Sequence, residues 1–242
     1  MKNTPPSSLT RHAAFTLLEL LVVIAIIAIL ASLLFASLAR SKEKARSVAC
    51  LGHLKQLGVG FLLYLDENNN NFPAPGSKTI IGPLPEDWIH WQVARDPKQS
   101  VIAPYIASGY FATNLFRCPT DGAAVELERG NRSTDPYVYS YSMTSYLVTN
   151  DVNFGTSLAL DSARNYLPFH ATSVRNPSGK ILLAEEERDA PPDGLNDGRW
   201  VPIINPLTTR HNGKGNVMFI DGHVETVLPK FALNPTNSLP EL

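Results

Sequence analysis

The stretch RHAAFTLLELLVVIAIIAILASLLFASLAR, residues 11–40, decides how the rest of the chain is read. From Leu20 to Ala39 it runs through twenty uncharged, mostly apolar residues. A bilayer core about 30 Å thick needs roughly 20 apolar residues in helical form, so the run is long enough to span. Glu19 stands at its mouth. Charge in a membrane helix is costly and is kept where it has a partner or a task, so this acid needs a reason.

Three readings compete. A secretory signal carries an apolar region of roughly 7–15 residues; Ser37 and Ala39 offer small residues for cleavage, but the run is too long and the acid is out of place. A plain membrane anchor accounts for the length and leaves Glu19 unexplained. The third accounts for both: AAFTLLELLVVIAIIAILASLL resembles the type IV prepilin N-terminus shared by pilins and type II secretion pseudopilins. That resemblance implies a basic leader, residues 1–14, cut between Ala14 and Phe15 by prepilin peptidase. It also implies N-methylation of Phe15, with Glu19 as the fifth mature residue. Family members usually carry Gly before the cut, where this chain has Ala14. The resemblance assigns Glu19 to assembly, its carboxylate meeting the freed Phe15 amine of a neighbouring subunit. The flanking charges disagree with export. Lys2 and Arg11 precede the span, and Arg40, Lys42, Lys44 and Arg46 follow it, offset by Glu43; counting positive charges alone keeps the body in the cytoplasm.

Beyond Arg40 the pattern stays helical. Val48, Leu51, Leu54, Gly58, Phe61 and Leu65 recur at spacings of three and four, which predicts an amphipathic stripe. No Pro occurs from Phe15 to Phe72, and DENNNNFP stops the helix with turn-forming Asn and Pro73. Gly52, Gly58 and Gly60 weaken it by about 1 kcal/mol each relative to Ala and permit close packing. A helix from Phe15 to Leu65 is about 75 Å long. The expected organisation is a membrane or filament-core helix over 15–39, its amphipathic continuation over 40–66, a head over 67–232 and a loose tail over 233–242.

The head reads as α+β: the long N-terminal helix packed on a small antiparallel sheet, the pilin-like arrangement the resemblance also implies. TDPYVYSYSMTSYLV alternates polar and aromatic residues and predicts a strand. GKILLAEEE, apolar on both faces, predicts a central strand covered on both sides, with the acidic EEERD as its solvated end. GNVMFIDGHVETV predicts a hairpin with a two-residue turn at Asp221-Gly222. Phe219 then faces Val224 and Val217 faces Thr226 on the core side, with Met218 and Glu225 on the other. Upstream, His211 precedes Asp221-Gly222 by nine residues. This H-x9-DG arrangement resembles a C-terminal signature found with prepilin-type N-termini in many bacterial proteins. CLGHLKQLGVGFLLYLDENNNNFP, FRCPTD and VRNPSGKILLAEE resemble that family's other segments, in order.

Other residues carry plainer readings. Asp221-Gly222 is a turn, and His211 is first a structural residue, then a ligand. Cys50 and Cys118, the two cysteines, are too few for a four-thiolate zinc site. In an exported head they can form one disulfide, worth about 4 kcal/mol for a loop of this length; otherwise they are buried thiols. Asp66, Asn68 and Asn70 resemble the opening of a calcium loop, but Asn71 stands where that loop needs Gly and no closing Glu follows. A polar helix stop is the better account of them. Trp88, His90 and Trp91 form a packing cluster or, less simply, a sugar-contacting surface.

Composition narrows the function. The 242 residues are 44% hydrophobic and 18% charged with a formal charge of −1, which argues against a nucleic-acid binder. Losing Lys2 and Arg11 with the leader leaves 19 bases against 22 acids, a charge of −3. The chain has no GxSxG elbow, HExxH helix or P-loop, so no enzyme activity and no resident cofactor are expected, calcium being the one candidate. The resemblance implies a single-pass inner-membrane protein with its head in the periplasm or at the cell surface. Its implied partners are copies of itself or other pilin-like subunits, prepilin peptidase, an inner-membrane assembly platform and membrane lipid. The other reading is an anchored module that never polymerises and binds a glycan, peptide or metal.

Overall fold

A computed structural model describes residues 16–76, 84–90, 95–106, 113–121, 139–145, 147–148, 152–153, 159–160, 166–167, 169–187, 198–202 and 205–239. The chain divides into two units, residues 1–42 and 43–242. One helix, α1 (Leu17–Glu67), contributes to both. In the first unit its apolar side chains stand exposed, Leu17 and Leu34 among them at 79% and 67%. Such a surface demands a lipid or protein cover.

In the second unit α1 is amphipathic, but the stripe begins on a different track from the one expected. Cys50, Leu54, Leu57, Phe61 and Tyr64, at spacings of four and three, are buried, as are Gly58, Gly60 and Leu65. Val48 is 61% exposed, and Leu51 is only partly covered. The two tracks merge at Leu54, and what selects the Cys50 track is the polar cluster under that residue. The helix ends where the Asn run begins: Asn69 and Asn70 adopt left-handed φ values of 54° and 58°. Asn68 turns its side-chain amide back to the Tyr64 carbonyl at 2.8 Å. This is the polar stop that the sequence predicts.

The strands follow in chain order: β1 (Tyr141–Thr144), β2 (Leu147–Val148), β3 (Val152–Asn153), β4 (Ala159–Leu160), β5 (Tyr166–Leu167), β6 (Ile181–Glu185), β7 (Arg199–Trp200), β8 (Gly215–Phe219) and β9 (Val224–Val227). Two short helices, α2 (Ala103–Ile106) and α3 (Pro229–Ala232), complete the main elements. A five-stranded sheet has the order β7-β1-β6-β8-β9; β2 pairs with β3 and β4 with β5 in separate ribbons. The large sheet is mixed rather than purely antiparallel, because β7 lies parallel to β1. The GKILL strand is central, as its two apolar faces predict.

Two local features set which side chains meet α1. The register of β6 against β8 shifts between Ile181 and Leu183. This bulge places Leu182 and Leu183 together in the core shared with α1, while Ile181 and Ala184 join the core on the other face. The hairpin differs from expectation by one residue: Met218 pairs with Val224 and Val217 with Glu225. The Gly222 amide donates to the Phe219 carbonyl at 2.9 Å, and Gly222 has φ +81°. The loop is therefore the three-residue kind, a turn closed by a left-handed glycine, rather than the two-residue kind. Met218 consequently faces α1 and Phe219 the second core, so both faces of β8 are buried. Gly58 makes this packing possible, since a Cβ there would lie 2.7 Å from Met218 Sδ.

Two further expectations are corrected. Glu185 and Glu186 are buried, not a solvated strand end. Residues 233–239 are docked rather than loose: Ser238 is buried, and the Lys180 amine donates to the Thr236 carbonyl.

Candidate functional site

Glu19 begins the helix as well as fronting the apolar run. Its Oε2 accepts from the Thr16 amide and hydroxyl, each at 2.9 Å, while the Glu19 amide donates to Thr16 Oγ1 at 3.2 Å. Thr16-Leu17-Leu18-Glu19 is thus a reciprocal cap that satisfies helix-start amides. The sequence contains the signal, a Thr three residues before an acid, and the reading of Glu19 as an assembly residue alone missed it. Ala14 and Phe15 lie outside the described residues, as does Trp91. Trp88 packs on Phe61 and Phe116, with ring centroids 5.7 and 6.0 Å away.

A second site lies in the head. α1 supplies Cys50, the turn at FRCPTD supplies Cys118, β6 supplies Glu185, and the loop before β8 supplies His211. Their ligating atoms all lie within 4.8 Å of one another, and all four residues are buried. Cys50 Sγ donates to Glu185 Oε1 at 2.8 Å. His211 Nε2 is 3.1 Å from Glu185 Oε2 and 3.4 Å from Cys118 Sγ. Cys50 and Cys118 are both free, buried thiols in this structure.

Each group is placed by local structure. The period of two in β6 turns Glu185 to the same face as Leu183, under α1. Tyr141, the cross-strand partner of Glu185, brings its hydroxyl to 2.9 Å from Cys50 Sγ. The Asn216 amide donates to Glu185 Oε2 at 2.8 Å. Cys118 is fixed by its amide, which donates to Ser140 Oγ at 2.9 Å; that hydroxyl in turn donates to Asp121 at 2.6 Å. His211 sits in a tight turn, its amide donating to the Lys214 carbonyl at 3.0 Å. On its outer side Nδ1 lies 3.4 Å from Glu43 Oε1, close enough for an ion pair though not aligned as a hydrogen bond.

The electrostatics follow from burial and mutual contact. Burial first, then Cys118 and Glu185, push the Cys50 thiol far above its usual range. The neighbouring Cys50 thiol lowers Cys118 to about 7 against the opposing effect of burial, with His211 assisting. Burial alone would depress His211, but its bonds to Cys118 and Glu185 and their charge raise it to about 10. Burial likewise opposes ionisation of Glu185, and His211 and the two cysteines outweigh it and lower its pKa.

The H-x9-DG residues do not converge. His211 belongs to the buried cluster, whereas Asp221 and Gly222 form the hairpin turn at the far end of β8. Asp221 Oδ1 accepts from the His223 amide at 3.0 Å, and the Gly222 carbonyl accepts from Lys55 Nζ at 2.7 Å. The nine intervening residues are a turn plus one strand, so the spacing measures β8. One end of the motif meets α1 at Glu43, and the other meets it at Lys55 and Gly58. Asp66, Asn68 and Asn70 remain at the helix stop.

Residues 9–35 match the prokaryotic N-terminal methylation motif. No curated protein and no solved structure matches the chain. The motif gives the chain a prepilin-type N-terminus and supports a type IV pilin-like or pseudopilin subunit. The apolar helix over the same residues fits an inner-membrane anchor.

Proposed function

We propose that this chain, with its prepilin-type N-terminus, is a structural subunit of a type II secretion pseudopilus or a type IV pilus-like filament. The observation that carries the reading is the methylation motif at residues 9–35 on a helix whose apolar side chains are exposed. In this reading prepilin peptidase removes residues 1–14 and Phe15 is methylated. The head lies outside the inner membrane, and an assembly platform draws subunits into a bundle of apolar helices. Its work is assembly rather than turnover. The Glu19 carboxylate leaves Thr16 and pairs with the Phe15 amine of a neighbour, because an anion within an apolar bundle is stable only beside a cation. That pairing sets the axial step between subunits.

The capping geometry supplies the test. Gln serves as well as Glu in this kind of cap, so Glu19→Gln keeps the helix start and removes only the charge. The variant is expected to be processed and held in the membrane but absent from sheared or cross-linked filaments. Glu19→Gln protein that assembles at the wild-type level overturns the charge-pairing mechanism; wild-type protein that is processed and held in the membrane but forms no filament favours an anchored module that does not polymerise.

A further inference from the structure

We propose that Cys50, Cys118, Glu185 and His211 form a closed zinc site that fastens α1 to the sheet of the head. The site goes beyond the assembly reading and does not depend on it.

The donor set is the first argument. Two thiols, an imidazole and a carboxylate are the ligand types of tetrahedral zinc, and thiolate sulfur disfavours calcium and magnesium. Distances are the second. With bonds of about 2.3 Å to sulfur and 2.0–2.2 Å to nitrogen and oxygen, a tetrahedral ion sets its ligands roughly 3.3–3.8 Å apart. Here His211 Nε2 is 3.4 Å from Cys118 Sγ and 3.1 Å from Glu185 Oε2, and Cys50 Sγ is 2.8 Å from Glu185 Oε1. Small outward movements of the side chains open this cluster to the size of the ion.

The surroundings are the third argument. A zinc-bound histidine commonly directs its other ring nitrogen to a carboxylate. His211 presents Nε2 to the cluster and Nδ1 to Glu43 at 3.4 Å, and Nδ1 is buried without a hydrogen bond. Tyr141 and the Asn216 amide supply donors to Cys50 and Glu185. Four ligands from four separate segments, all buried, leave no open position. The site is therefore structural rather than catalytic. On binding, each thiol releases its proton to solvent as its sulfur–zinc bond forms, the protonated His211 ring releases its Nε2 proton as the nitrogen–zinc bond forms, and no electrons are transferred.

The full chain, purified from membranes in detergent without a histidine tag or chelator, tests this directly. Elemental analysis is expected to find one zinc per chain. Exchange with cobalt is expected to give thiolate-to-cobalt charge-transfer bands and the visible absorption of a tetrahedral ion. Cys118→Ser is expected to abolish those bands, and Glu43→Gln to weaken zinc binding about 10-fold or more. His223→Gln, at an exposed histidine, is expected to leave the stoichiometry unchanged. The wild-type cobalt spectrum decides the matter even where a cysteine variant fails to fold. Wild-type protein with free thiols, little zinc and no charge-transfer band overturns the proposal. A Cys50–Cys118 disulfide in protein isolated from cells also overturns it.

Discussion

At the residue scale, the head contains histidines with opposite environments. His211 is surrounded by anionic partners, whereas the buried His90 ring has the Pro85 and Asp96 backbone and the Arg95 charge as neighbours. Burial first, then the Arg95 charge, lower its pKa. The unfolded chain takes up that proton near pH 6.5, while the folded chain resists until lower pH. The stability contributed by neutral His90 is therefore present above about 6.5 and declines as pH falls from there toward the folded value. Denaturant titrations between pH 7 and 5 are expected to show a shallower decline for His90→Phe than for wild type; equal slopes contradict the assignment. Individual residues were unevenly legible in the sequence. Glu19, His211 and the two cysteines draw attention by type and position. Glu185 looked like part of an acidic strand end, because its burial depends on which face of β6 lies under α1. Glu43 looked like one flanking charge among several.

At the element scale, the glycines of α1 separate packing from propensity. Gly52 faces open space, while a Cβ at Gly60 would overlap the stiff, branched Ile106 side chain. Gly52→Ala is expected to stabilise the head by about 0.5–1 kcal/mol through helix propensity alone. Gly60→Ala is expected to destabilise it by about 1–3 kcal/mol through overpacking. Urea denaturation followed by circular dichroism measures both, and a matching gain at the two positions contradicts the packing. The long helix, its Asn stop, the central strand and the existence of the hairpin were readable from periodicity and turn residues. The parallel β7 was not, because a two-residue strand carries no period. Hairpin register was also hidden, since an Asp-Gly pair serves both a two-residue turn and the last positions of a three-residue one. The helix face depended on a polar cluster assembled from segments up to 161 residues apart, Cys50 and His211.

At the scale of the whole molecule, the central claim is that residues 1–14 are a leader and that the apolar helix belongs to an assembling subunit. Charge counting favours a cytoplasmic body, because Arg40, Lys42, Lys44 and Arg46 follow the span. The proposed function requires the opposite orientation, with the leader facing a cytoplasmic peptidase. Each alternative leaves a different N-terminus on the mature protein. Mass spectrometry of the N-terminal peptide, taken from protein in its native membrane, is the most direct measurement. The account predicts a chain beginning at Phe15 with one methyl group on its amine. An intact Met1, or a chain beginning at Arg40, contradicts it.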